Sequence, residues 1–317
     1  MCADDHSGKV KSRFRIGAAA AMVVVVAITT GVLAGPQAVS QSVPGLPAPA
    51  IAQPTLADAQ NHFYNARYEA AAALALALRA SETPSLPIED LAGIELRTSA
   101  LLFQIKRLVE PPPGTAGKRK PEKDSADKDK AAALKNCAAC PQLIVEFLAD
   151  FRNGQTLART ALRADPADQA ALFFLGKLDL NYVWLQLGPL SRKTGWDEYW
   201  EARRSLDAVL KANPRHVRAA VARAWIDYIV DTRMPWGTRW VLGGGDRKQA
   251  LVDVRAAAMI ESDFFTHTEA EFALWDMQIR ERDMARAIEV ARRLAHEFPE
   301  NPEIAAFLEA RTSELRR

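Results

Sequence analysis

Strand signals are missing from this chain. It has no alternating runs of Val, Ile or Thr and no Asn-Gly hairpins between such runs, which excludes a sheet-based fold and predicts an all-α one. Neither Gly-x-Ser-x-Gly nor His-Glu-x-x-His occurs, and the five histidines form no constellation. The sole local His-carboxylate group, His267 with Glu269 and Glu271, has a spacing that does not place all three on one helix face. No catalytic residue, metal site or cofactor is therefore expected, and the chain does not read as an enzyme. A charge surplus is missing too. Residues 1–35 hold four basic and two acidic residues, the whole formal net charge of +2, and the remainder is balanced at 37 of each sign. That balance gives no electrostatic footprint for a nucleic acid.

One segment lacks charge altogether. Ile16 to Ala34 contains no ionisable side chain, and its nineteen residues would extend about 28 Å as a helix, close to the thickness of bilayer hydrocarbon. Lys9, Lys11, Arg13 and Arg15 precede it, so the positive-inside tendency keeps the N-terminus cytoplasmic and sends the rest across. The expected location is the inner membrane, single-pass, with a periplasmic C-terminal domain. Ala50-Ile51-Ala52 fits a small-x-small cleavage site, and a cut there would release the domain to the periplasm.

The expected organisation is a basic tail (1–15), a membrane anchor or signal sequence (16–34), a Pro/Ala-rich linker (35–54), an N-terminal helical region (55–110), a charged loop (111–136) and a second helical region (137–317). Phe63, Tyr64, Tyr68, Leu74 and Leu78 keep a helical period among alanines, and a longer helix is predicted from about Ile88 to Val109. Residues 111–130 hold almost no apolar side chain, which predicts a solvated loop.

A phrase recurs along the rest of the chain: a small residue, then twelve positions later a helix stop. Gly154 to Pro166, Ala202 to Pro214, Ala250 to Ser262 and Ala287 to Pro299 carry it, with Ala161, Val209, Ala257 and Leu294 seven residues into each copy. The physical logic is close packing, since a small side chain lets the paired helix approach and the same face returns seven residues on. This pattern resembles tetratricopeptide repeats, specifically the membrane-anchored bacterial type. Arg282 to Ala287 matches the turn between the two helices of such a unit, and so does Asn65 to Ala71, with Tyr68 at the aromatic position. The resemblance covers roughly residues 55–84 and 151–308. It implies a solenoid of stacked helix hairpins that binds a protein segment in its concave groove. The stops are spaced 48, 48 and 37 residues apart, against about 34 in a regular unit, so two copies carry insertions at Leu187 to Trp200 and Arg233 to Gly245.

The insertions carry Trp196, Tyr199, Trp200, Trp236 and Trp240, which are the candidate partner-binding residues; they either hold a partner or fill the gap between uneven repeats. Trp184, Trp225 and Trp275 lie within helical pattern and read as core. Gly243-Gly244-Gly245-Asp246 reads as a helix-start turn capped by Asp246, since no strand precedes it and no Gly-Lys-Ser/Thr follows. Cys137-Ala138-Ala139-Cys140-Pro141 predicts a local disulfide in an exported chain. Haem attachment would need a His where Pro141 stands, and zinc would need a second ligand pair. The leading expectation is a membrane-tethered extracytoplasmic scaffold for protein partners in envelope assembly. A thiol-redox or cytochrome-maturation factor using the Cys pair, and a ligand-binding accessory of a transport system, remain as alternatives.

Overall fold

The computed structural model describes residues 54–80, 87–109, 123–192, 194–234 and 236–315. The apolar run of residues 16–34 lies outside them, and among the described helices none is long and apolar enough to cross a membrane. The described residues are all-helical, without strands.

Caps set most helix starts. Helix α1 (Leu56–Tyr64) begins at Thr55, whose hydroxyl accepts from the Asp58 amide while the Asp58 carboxylate accepts from the Thr55 amide at 2.8 Å. It turns at Asn65 to Arg67 into α2 (Tyr68–Arg79), which packs on α3 (Pro87–Val109). Helix α4 (Lys123–Asn136) lies inside the segment where the sequence pattern predicts a solvated loop. The low apolar content there indicates weak packing, but Ala131 to Leu134 and the lysines are good local helix formers, so a helix forms although none of its described side chains, 130–136, is buried.

Beyond α5 (Cys140–Ala164) the chain continues as α6 (Gln169–Leu187), α7 (Trp196–Ala212), α8 (Val217–Arg233), the short α9 (Trp236–Arg239), α10 (Arg247–Ala258), α11 (Phe264–Arg280), α12 (Met284–Glu297) and α13 (Pro302–Leu315). Asp168, His216, Asp246, Asp263 and Asp283 cap α6, α8, α10, α11 and α12 through their side chains. The chief pairings are α6 with α7, α8 with α10 and α11 with α12, each pair packing on the next. Helices α3, α6, α8 and α11 also touch in series and so form an inner row.

The small residues of the recurring phrase sit where they permit close approach. A Cβ on Gly154 would lie 2.5 Å from Leu178 Cδ1 and 2.9 Å from Ile94 Cγ2, so α5 is wedged against α6 and α3. Ala202, Ala250 and Ala287 are buried on the corresponding faces of α7, α10 and α12. Two large apolar cores result, beside a small cluster of Ala59, Ala75 and Leu96. The first is built on α3, α5, α6 and α7, the second on α10 to α13, and α8 contributes to both, with Ile226 in the first and Val221 in the second.

The array closes on itself. Tyr64, from the first hairpin, belongs to the second core, where its ring lies 5.3 Å from Phe272 and 5.6 Å from Phe298. Its carbonyl accepts from Asn301 Nδ2 at 2.7 Å. Arg67 pairs with Glu300, and Arg107 with Glu303.

Candidate functional site

The inner row brings together four charged side chains, one from each helix. Glu95 of α3, Lys177 of α6, Arg218 of α8 and Glu269 of α11 are largely buried. Arg218 Nε lies 2.5 Å from Glu269, its other arm 2.8 Å from Glu95, and Lys177 Nζ 2.6 Å from Glu269. Burial alone would raise the Glu269 carboxyl, but Arg218 and Lys177 hold it down to about 2. Two cations against two carboxylates make the cluster neutral, so it can lie inside the array. Tyr64 lies beside it on the side of the closing hairpin, and burial pushes its phenol well up, with Glu269 adding to the effect.

Next to the cluster lies an open cleft of about 340 Å³. It sits at the N-terminal ends of α6, α8 and α11. Phe173 and Phe174 form apolar lining, and Arg215, His216, Arg218, Glu261, Ser262 and Thr266 supply polar groups. The Arg218 guanidinium lies 4.9 Å from the Phe173 ring, and the His216 ring 4.7 Å from it. His216 Nδ1 accepts from the Ala219 amide, and burial lowers its pKa, so the imidazole is neutral at pH 7. Ser262 Oγ is buried without a hydrogen-bond partner among the described residues, while Arg215 is exposed.

The inserted aromatics lie at the opposite ends of α6 and α8. Tyr199 is buried at 6% exposure and its hydroxyl donates to the Leu242 carbonyl at 2.7 Å. Trp200 packs, partly buried, on the first core. Trp196 is 41% exposed and Trp240 77%. The Trp236 side chain lies outside the described residues. Tyr199 and Trp200 thus hold the insertions down, whereas Trp196 and Trp240 face outward. The cavity that Trp196, Tyr199, Met234 and Leu242 help to line is about 20 Å³ and almost wholly apolar, too small for more than a water-sized body.

Cys137 and Cys140 are joined by a disulfide at the start of α5, with Cα atoms 5.4 Å apart. Cys140 is buried and Cys137 half-buried. Asp246 accepts from the amides of Lys248 and Gln249, as a cap. His267, Glu269 and Glu271 diverge: His267 is exposed, Glu269 enters the inner cluster and Glu271 pairs with Arg293.

The cleft and the inner cluster carry the polar chemistry that sequence reasoning missed. Their members are single charges on four different helices, and no local spacing links them. A charge inside an apolar pattern was the available signal, but it does not single out the cluster, since Arg97 of α3, Asp179 of α6 and Glu271 of α11 are buried on the same helices. Comparison with family models, with curated proteins and with solved structures finds no match.

Proposed function

We propose that the chain is a tetratricopeptide-like scaffold, tethered to the membrane by its N-terminal segment, that binds a segment of a protein partner on the extracytoplasmic side during envelope assembly. The observation that carries this reading is the open cleft at the N-termini of α6, α8 and α11, with aromatic lining beside exposed Arg215 and part-buried Arg218. The middle of the inner row is taken up by the neutral ion cluster and by Tyr64, which leaves the cleft, not the full length of the groove, for a partner. An aromatic floor beside a guanidinium suits a segment that combines an apolar side chain with a carboxylate.

Site-specific photo-crosslinkers at positions 170, 215 and 266, in the membrane-bound full chain, test this, with a crosslinker at position 292 on the far side of α12 as the control. The expected result is a discrete protein adduct from the cleft positions that the control lacks. Arg215→Glu should abolish the adducts formed at positions 170 and 266. Recovery of the uncrosslinked chain alone from all three positions would count against the reading.

A second reading rests on Cys137 and Cys140. A half-buried thiol followed by a buried one at a helix start is an arrangement suited to thiol-disulfide exchange, since the helix N-terminus favours a thiolate. Maleimide labelling after mild reductant separates the two. Rapid labelling of Cys137 favours exchange, and a pair that stays unreactive is structural.

A further inference from the structure

We propose that the edge of the array opposite the cleft docks on an anionic lipid bilayer, with Trp240, Val241 and Trp196 as the inserting side chains. Trp240 and Val241 are 77% and 53% exposed, adjacent in the turn between α9 and α10. The backbone on which they stand is fixed. Leu242, the next residue, is buried, and its carbonyl accepts from Tyr199 Oη at 2.7 Å and from Arg203 at 3.2 Å. Arg203 also donates to the Gly243 carbonyl at 3.0 Å. Gly243 and Gly244 have φ of 80° and 75°, a left-handed bend that turns the chain back to α10 and leaves Trp240 and Val241 outside it. The fixed turn therefore holds two large apolar side chains in water, at a cost that burial elsewhere would remove.

The charge around this edge decides what covers it. Arg192, Arg233 and Lys248 are exposed and have no ion pair among the described residues, and Arg247 is exposed too. The acids nearby are mostly engaged: Asp246 caps α10, and Asp231 pairs with Arg239. Asp197 and Glu198, in the first turn of α7, are the exceptions, exposed and half-buried, and leave this edge with more free cations than free acids. A projecting Trp-Val pair stands on the edge where α6 and α8 end and α10 begins, with Arg192, Arg233, Arg247 and Lys248 at those helix ends. This matches the interfacial region of an anionic membrane, where indole rings settle at headgroup depth and basic side chains are drawn to the charged surface. A protein partner would need a broader apolar surface than two adjacent side chains and Trp196 provide. The 17 residues of α8 separate this edge from the cleft by about 25 Å, so a docked array keeps the cleft clear of the bilayer surface.

The test uses the full chain in vesicles of brominated phosphatidylcholine with about 30% phosphatidylglycerol, and in neutral vesicles without it. Trp240→Phe keeps an apolar ring at the tip while removing its emission. In anionic vesicles the parent should lose emission that W240F does not, by about one tryptophan's share of the seven. That difference should vanish in neutral vesicles and in about 0.5 M salt. Equal quenching of parent and W240F in anionic vesicles overturns the proposal, as does a difference of the same size in neutral vesicles. A crosslinker at position 240 that yields a protein adduct, with no quenching difference, also overturns it and assigns the edge to a protein. Because the cleft is probed through R215E, failure of either idea is distinguishable from failure of the other.

Discussion

Two buried acids give this protein opposite responses to pH. Asp179 of α6 is fully buried, accepts from Gln155 at 2.7 Å and lies against Glu201. Burial, then the Glu201 charge, push its carboxyl up to about 9, so the folded state holds a proton that the unfolded chain releases near 3.8. Between those values the folded state binds more protons, and stability falls as pH rises, by at most ~1.4 kcal/mol per unit. Asp179→Asn reproduces the protonated form. It should stabilise the protein by roughly 1–3 kcal/mol near pH 8 and by little near pH 4, as read from urea titrations at the two pH values. Glu269 behaves in reverse. Its folded pKa of about 2 lies below the ordinary 4.5, so its contribution is fully present above 4.5 and is lost as pH falls through 2. Glu269→Gln leaves Lys177 and Arg218 with Glu95 alone and should cost about 3 kcal/mol at pH 7, with a shallower acid limb in the same titrations.

At the scale of the helix, the wedge of α5 between α3 and α6 depends on the absence of one Cβ. Gly154→Ala would press a methyl to 2.5 Å from Leu178 Cδ1, and since Ile94 closes the other side neither neighbour can withdraw freely. The expected loss is about 1–3 kcal/mol with helix content unchanged, measured by denaturant unfolding and circular dichroism. This element was readable in the chain, because a small residue at a fixed distance from a Pro stop is a local pattern. So was the Asp246 cap after three glycines. Other features depend on contacts that no local window contains. Trp196, Tyr199 and Trp200 fall within five residues, yet the phase of α7, set by Ala202, Leu206 and Val209 packing on the first core, buries Tyr199 and exposes Trp196. The polar partner that offsets burial of the Tyr199 hydroxyl is Leu242, 43 positions on. Helix α4 is invisible to the apolar pattern for a different reason, since periodicity reports a core face and α4 forms on backbone propensity.

The closure of the array is the property of the whole molecule that neighbour-to-neighbour stacking does not predict. In an open array each helix pair touches the next, and stability is a sum of adjacent terms, so the end pairs fray independently. Here residues 237 apart are joined: Asn301 Nδ2 donates to the Tyr64 carbonyl while its Oδ1 accepts from the amides of Glu303 and Ile304 at the start of α13. The same side chain thus caps the last helix and holds the first hairpin. Asn301→Asp retains the cap acceptor and loses the donor to Tyr64, setting a carboxylate against that carbonyl, whereas Asn301→Ala loses both functions. If closure couples the two ends, N301D should raise hydrogen exchange in α1, α2, α12 and α13 together while α5 to α7 stay protected, and should cost about 2 kcal/mol. N301A should cost more, by about the 1 kcal/mol of a lost cap. Faster exchange confined to α13 in both variants would mean that the ends are merely adjacent, and that the array is held by its nearest-neighbour contacts alone.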